Sequence, residues 1–189
     1  MSFEEPRELT DPRAMRAMAH PVRLALMEAL NHHGPLTATE AADHVGESPS
    51  NCSFHLRQLA KYGFVEEAEG GTGRQRPWRT VNVGMRFTDV QEDADTAMAA
   101  GALARVMHER WLARARAGME RRSHLPEAWR AVTGSDQMTL YVTPDEMKAI
   151  NDQIVGLLAG YRERIADPDK RPEGSRAIEH IAFYYPVDP

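Results

Sequence analysis

Apolar positions in the first sixty residues fall into four short blocks with helical spacing, each bounded by proline, glycine or a capping residue. Asp11-Pro12 opens the first, with Ala14, Met15, Ala17 and Met18 on one side, and it stops before Pro21. A second runs from Pro21 with Val22, Leu24, Ala25, Leu26, Ala29 and Leu30 inward, and Gly34-Pro35 breaks it. Thr37 or Thr39 caps a third, which Gly46 ends. Ser48 caps a fourth, running through Lys61 to a stop at Gly63. The fourth has an inward stripe at Cys52, Leu56 and Leu59, and its other face carries Ser50, Asn51, Ser53, Phe54, His55 and Arg57. Two short helices separated by Gly46-Glu47-Ser48 read as a helix-turn-helix.

The pattern then changes period. Residues 64–68 and 78–83 read as antiparallel strands around Gly70-Gly71-Thr72-Gly73, a β-wing with Arg74 and Arg76 at its tip. Residues 91–123 return to helical spacing and are rich in alanine; Met98, Ala102, Leu103, Val106, Met107 and Trp111 form an apolar side too long for a small winged domain to hide, so they are expected to dimerise. Leu125-Pro126 ends this helix. The remainder reads as a β-α-β layer: a strand over 137–142, a helix from Thr143 or Pro144 to Ile165, an exposed loop, and a strand over 177–185. The expected architecture is mainly α with a small β component (α+β). It comprises a winged helix-turn-helix at 10–88, a long dimerisation helix at 89–124 and a C-terminal β-α-β module at 125–189 that dimerises or holds an effector.

Composition changes this picture in one respect. The 189 residues carry a formal net charge of −5, which is unexpected for a nucleic-acid binder until the charge is sorted by segment. Between residues 50 and 86, Arg57, Lys61, Arg74, Arg76, Arg79 and Arg86 face only Glu66, Glu67 and Glu69, whereas residues 133–189 hold ten acids against six bases. The acidity belongs to the C-terminal module. No apolar run is long enough to cross a bilayer and the acidic N-terminus lacks a secretory core, so the expected location is cytoplasmic. One cysteine, Cys52, excludes an intramolecular disulfide and a thiolate cage.

Two motifs carry a family resemblance. Residues 19–30, Ala-His-Pro-Val-Arg-Leu-Ala-Leu-Met-Glu-Ala-Leu, resemble the opening helix of the ArsR-like (arsenical-resistance-repressor) winged-helix regulators. Ser48-Pro49-Ser50-Asn51-Cys52-Ser53-Phe54-His55-Leu56-Arg57-Gln58-Leu59, followed by Gly63-Phe64-Val65, resembles their recognition helix and the strand after it. The resemblance covers about a third of the chain. It implies a dimeric transcription factor, usually a repressor released by an effector. The chain departs from the family's metal sensors, lacking both a Cys-x-Cys pair near the helix-turn-helix and a carboxylate-histidine set at chelating spacing on the dimer helix. No metal or cofactor is therefore expected.

The candidate DNA-binding residues are Ser50, Asn51, Ser53, His55 and Arg57 on the helix at 48–61, with Arg74 and Arg76 on the wing at 66–82. Asn and Arg can make two-point contacts to adenine and guanine edges, serines more often bind phosphate, and wing arginines suit the backbone or minor groove. His55 could equally buttress its helix, and His20, before Pro21 at a helix junction, reads as structural. No nucleophile elbow or phosphate loop is present, so the chain is not expected to be an enzyme. The expected partners are a palindromic double-stranded DNA operator, a second copy of the chain and, through the aromatic residues of the tail, a small-molecule effector; no membrane is expected. A protein-interaction module on a winged-helix scaffold and a metal-responsive repressor stand as alternatives.

Overall fold

The computed structural model describes residues 7–70, 76–82, 84–88, 90 and 93–187. In chain order they form β1 (Arg7–Glu8), α1 (Pro12–Met18), α2 (Pro21–His33), α3 (Ala38–Val45), α4 (Pro49–Lys61), β2 (Val65–Glu67), β3 (Trp78–Thr80), β4 (Met85–Arg86), α5 (Ala94–Arg121), α6 (Glu127–Val132), α7 (Pro144–Ala159) and α8 (Glu163–Ala166). The architecture is α+β, a winged helix-turn-helix followed by a long helix.

Local chemistry sets the helix boundaries. Thr37 and Glu40 form a reciprocal capping box at the start of α3, which satisfies two otherwise orphaned donors. Gly46 ends that helix in the left-handed region (φ 73°), a conformation that costs a side-chain-bearing residue energy, and so permits the sharp turn into α4. There Ser48 Oγ accepts from the Asn51 backbone N–H at 3.2 Å, and Pro49 occupies the first turn, where a missing donor costs nothing.

Met15 and Met18 of α1, Leu26 of α2, and Cys52, Leu56 and Leu59 of α4 are fully buried in one core, joined by Phe64 and Val65 at the root of the wing. β2 and β3 pair antiparallel, with Val65 opposite Thr80, Glu66 opposite Arg79 and Glu67 opposite Trp78. Leu36 exchanges two backbone hydrogen bonds with Trp78, 3.0 and 2.7 Å, and fixes the wing to the loop before α3. A second small sheet pairs β1 with β4 in parallel. Residues this far apart in sequence, in strands this short, leave no periodic signature, and the pair is absent from the sequence reading. The second wing strand ends at Thr80, short of the expected 83, and Val83 lies outside the described residues.

The long helix forms over Ala94–Arg121, and its packing corrects the assignment of its apolar side. Ala99, Ala100, Leu103, Ala104 and Met107 are buried, chiefly against α1. Leu103 and Met107 belong to the chain's own core, and a partner helix cannot reach them without opening it. Val106 and Trp111 are half-buried against the same core, Ala102 is half-buried, and Met98 is 75 % exposed. The small alanines let α5 approach α1 closely enough to bury its larger side chains, so the winged domain hides more of this helix than its length suggests.

The C-terminal β-α-β layer is also corrected. The helix forms as α7, but residues 137–142 and 177–185 are in no strand. Among the described residues neither stretch has a backbone hydrogen bond, and a strand without a ladder is not a strand. Residues 176–187 instead lie along α5: Phe183 meets His108 edge-on at 5.2 Å and stands 6.4 Å from Trp111, and Glu179 is ion-paired with Arg114 at 3.2 Å.

Candidate nucleic-acid interface

The turn between α3 and α4 presents one side of α4 to solvent while the 52/56/59 stripe holds the other side in the core. Ser50 and Arg57 are exposed, and Asn51 and Ser53 are half-buried. Arg57 has no ion pair or hydrogen bond among the described residues, leaving its donors available for a base edge or a phosphate. Asn51 is already engaged: its amide donates to Glu47 at 2.8 Å. Phe54, outside the candidate set, is 48 % exposed beside these residues. Its outward direction agrees with the sequence reading, which placed it on the face opposite Cys52, Leu56 and Leu59 without taking it as a contact.

His55 departs from the candidate set. It is 6 % exposed, and its ring is 4.5 Å from that of His20. The Arg23 guanidinium donates to His55 Nδ1 at 3.3 Å, and the Val22 backbone N–H donates to His20 Nδ1 at 3.2 Å. His55 shares the inward face because it lies three residues after Cys52 and four before Leu59, positions that stack on one side of a helix. It cannot touch a base from there. Burial, above all, holds both imidazoles below their ordinary pKa; Arg23 lowers both further, His20 lowers that of His55, and Glu47 opposes weakly. Two accepting ring nitrogens fit two neutral rings.

The wing carries less free charge than its composition suggests. Arg76 pairs with Glu67 at 3.0 Å and Arg79 with Glu66 at 2.6 Å, so both described wing arginines are spoken for within the hairpin. Arg74 lies outside the described residues. Between the start of α3, the middle of α4 and the wing runs a cleft of about 200 Å³, bordered by Thr39, Ser53, Arg57, Glu67, Arg76 and Trp78. It brings Arg57 and Arg76, from two separate elements, to one surface.

Other candidate chemistry is sparse. Burial raises the Cys52 thiol pKa, with Glu47 adding to the effect, which keeps the side chain a small apolar packing group. His33 stacks on His44 with centroids 3.9 Å apart, but among the described residues no group of three or more histidine, cysteine or acidic side chains is placed to hold a metal. Among the described residues no helix is long and apolar enough to cross a membrane.

Comparison with known proteins gives one match by family: residues 18–68 match a family described as a helix-turn-helix domain. No curated protein matches the chain. Among solved structures, the chain is similar to an E41A mutant of ZitR from Lactococcus lactis, at 12 % identity over 77 % of this chain and 73 % of that one, with a TM-score of 0.28. It is also similar to S. aureus MepR bound to ethidium bromide, at 13 % identity over 75 % and 76 %, with a TM-score of 0.26. What stands is a helix-turn-helix domain over residues 18–68, built on a winged α+β frame.

Proposed function

We propose that the chain is a homodimeric DNA-binding transcriptional regulator of ArsR-like type, a repressor acting at a palindromic operator in the cytoplasm, with no catalytic role. The observation that carries this reading is the outward face of α4. Arg57, unpaired among the described residues, and exposed Phe54 and Ser50 sit on the second helix of a helix-turn-helix, beside a two-stranded wing. Such a helix enters the major groove. There Arg57 would take a guanine edge, Phe54 a thymine methyl, and Ser50 and Ser53 phosphate oxygens. Asn51 would have to exchange Glu47 for a base. Arg76, and Arg74 with it, would follow the backbone.

The test is selection of bound DNA from a random pool, followed by gel shifts with Arg57→Ala. A specific site should emerge, and the variant should bind it about 10- to 100-fold more weakly, since a two-point contact to guanine is worth about 1–3 kcal/mol. Failure to enrich any sequence would overturn the reading. One observation favours a second reading, a protein-docking module: the paired wing arginines weaken the local positive field. The same selection separates the two.

A further inference from the structure

The helix that offers Arg57 to solvent is fastened from behind by two hydrogen bonds that depend on protonation. His20 Nδ1 accepts the Val22 backbone N–H and so caps α2, and His55 Nδ1 accepts the Arg23 guanidinium. A ring nitrogen that accepts an N–H keeps its lone pair there, so a proton arriving on either Nδ1 sets two N–H groups face to face. It would also place a second cation in the small space that the two rings, 4.5 Å apart, share with Arg23. Arg23 donates to the Ala17 carbonyl of α1 as well, which holds its charge between α1, α2 and α4, and Tyr62 acts on it from the end of α4. Glu47 opposes from the turn, but Asn51 already draws on its carboxylate. A second histidine pair, His33 with His44, joins α2 to α3 with His32 and Glu40 beside it; it is exposed, so solvent takes up much of its charge.

We infer that His20, Arg23 and His55 form a proton-operated latch, in which acid frees α4 from α2 and thereby releases DNA. The inference rests on the reading of α4 as the DNA-reading helix and adds how that helix is regulated. His55 is two residues from both Ser53 and Arg57, so a displacement of its ring carries the outward face with it. Burial, joined by Arg23 at both rings and by His20 at His55, keeps the imidazoles neutral, so the latch is closed above about pH 6.5 and opens as the pH falls through the depressed folded values. The direction is diagnostic. Protonating histidines anywhere on the chain adds positive charge, which by itself tightens binding to DNA. Release of α4 reverses that trend.

Fluorescence anisotropy of the full chain on DNA selected at pH 8, read from pH 8 to 5.5 at constant ionic strength, tests this against the double variant His20→Asn/His55→Asn. The asparagine oxygens accept N–H groups as the ring nitrogens do and do not titrate. Wild-type affinity should fall about tenfold or more across the range, because each proton taken up on release contributes up to about tenfold per pH unit, and the variant should hold or tighten. Helical circular dichroism should stay constant throughout. Hydrogen exchange read by mass spectrometry, corrected for the intrinsic rate at each pH, gives a readout without DNA: at pH 5.5 wild-type α4 should lose about tenfold in protection while α5 keeps its own. In Glu47→Gln, which removes the opposing charge, that loss should move to lower pH. Equal pH dependence in wild type and double variant, or protection lost equally in α5, would overturn the latch. A selection that enriches nothing defeats the regulator reading; exchange then decides the latch by itself, and unchanged protection in α4 at pH 5.5 overturns it.

Discussion

The imidazole of His20, which caps α2, lies 4.5 Å from that of His55, in the centre of α4. The contact joins the start of one core helix to the inner side of the candidate reading helix, and both rings titrate below the ordinary histidine range. In the unfolded chain they would bind protons near pH 6.5, whereas the folded chain resists. Stability should therefore be fully present above about pH 6.5 and fall as the pH drops through the depressed folded values. Arg23 strengthens the effect and Glu47 weakens it; His33, lowered by burial and by its histidine neighbours, pulls the same way. Thermal melts from pH 8 to 5 should show a Tm flat at the top of the range and declining below it. In His55→Leu the decline should shrink but not vanish, because His20 remains; an equal decline in wild type and variant would remove the pair as its source.

A second prediction concerns the wing. Glu67 holds Arg76 at 3.0 Å, and both side chains are largely exposed, so the pair adds little to stability. Glu67→Gln should free the guanidinium, strengthen binding to all DNA sequences alike and steepen the salt dependence by about one phosphate contact. Titrations at several salt concentrations read the slope directly. An unchanged slope would show that Arg76 does not reach phosphate.

The apolar side of α5 splits into two kinds of position. Leu103 is fully buried and Met98 is 75 % exposed, five residues apart on one helix. Leu103→Ala should cost about 2–5 kcal/mol through lost burial and the cavity left behind. Met98→Ala should stay within about 0.5 kcal/mol. Denaturant unfolding of the two variants measures both, and a large loss at Met98 would mean that another chain covers it.

Glu28 of α2 receives Arg110 at 2.8 Å and Arg114 at 2.5 Å, both from α5, with each side chain about a quarter exposed. Glu28→Ala leaves Arg110 without an acid beside Arg114, which keeps only its pair with Glu179. A loss of about 1–2 kcal/mol is expected, smaller than for a fully buried pair because solvent still screens the site. Chemical denaturation should show this, and Glu28→Gln should recover part of it.

The winged domain was legible because its signals are local. The caps at Thr37 and Ser48, the proline at 49 and the glycine at 46 mark boundaries whatever the rest of the chain does. His55 was legible in principle, since the 52/55/56/59 spacing puts it inside, but its polarity argued for the surface. Arg76 and Arg79 were legible as charges and not as pairs, because their partners are set by hairpin register. The burial of Leu103 and Met107 depends on where α1 lies, which nothing local to α5 encodes. The tail read as strands at 137–142 and 177–185 forms none, because local pattern cannot supply the hydrogen-bonding partner that a strand needs.

The Glu28 clamp also has a mechanical meaning. It fastens one stretch of α5 to the helix-turn-helix core, while the helix runs on to Arg121 with Leu112 and Met119 open to solvent. Beyond the clamp the helix runs on for about 10–17 Å to Arg121, so pivoting the fastened part by about 5° swings its end by roughly 1–1.5 Å. The same lever works in reverse: a displacement of about an ångström at the distal end reaches α2 through Glu28 as a small rotation, and the clamp keeps that rotation from dissipating in a loose joint.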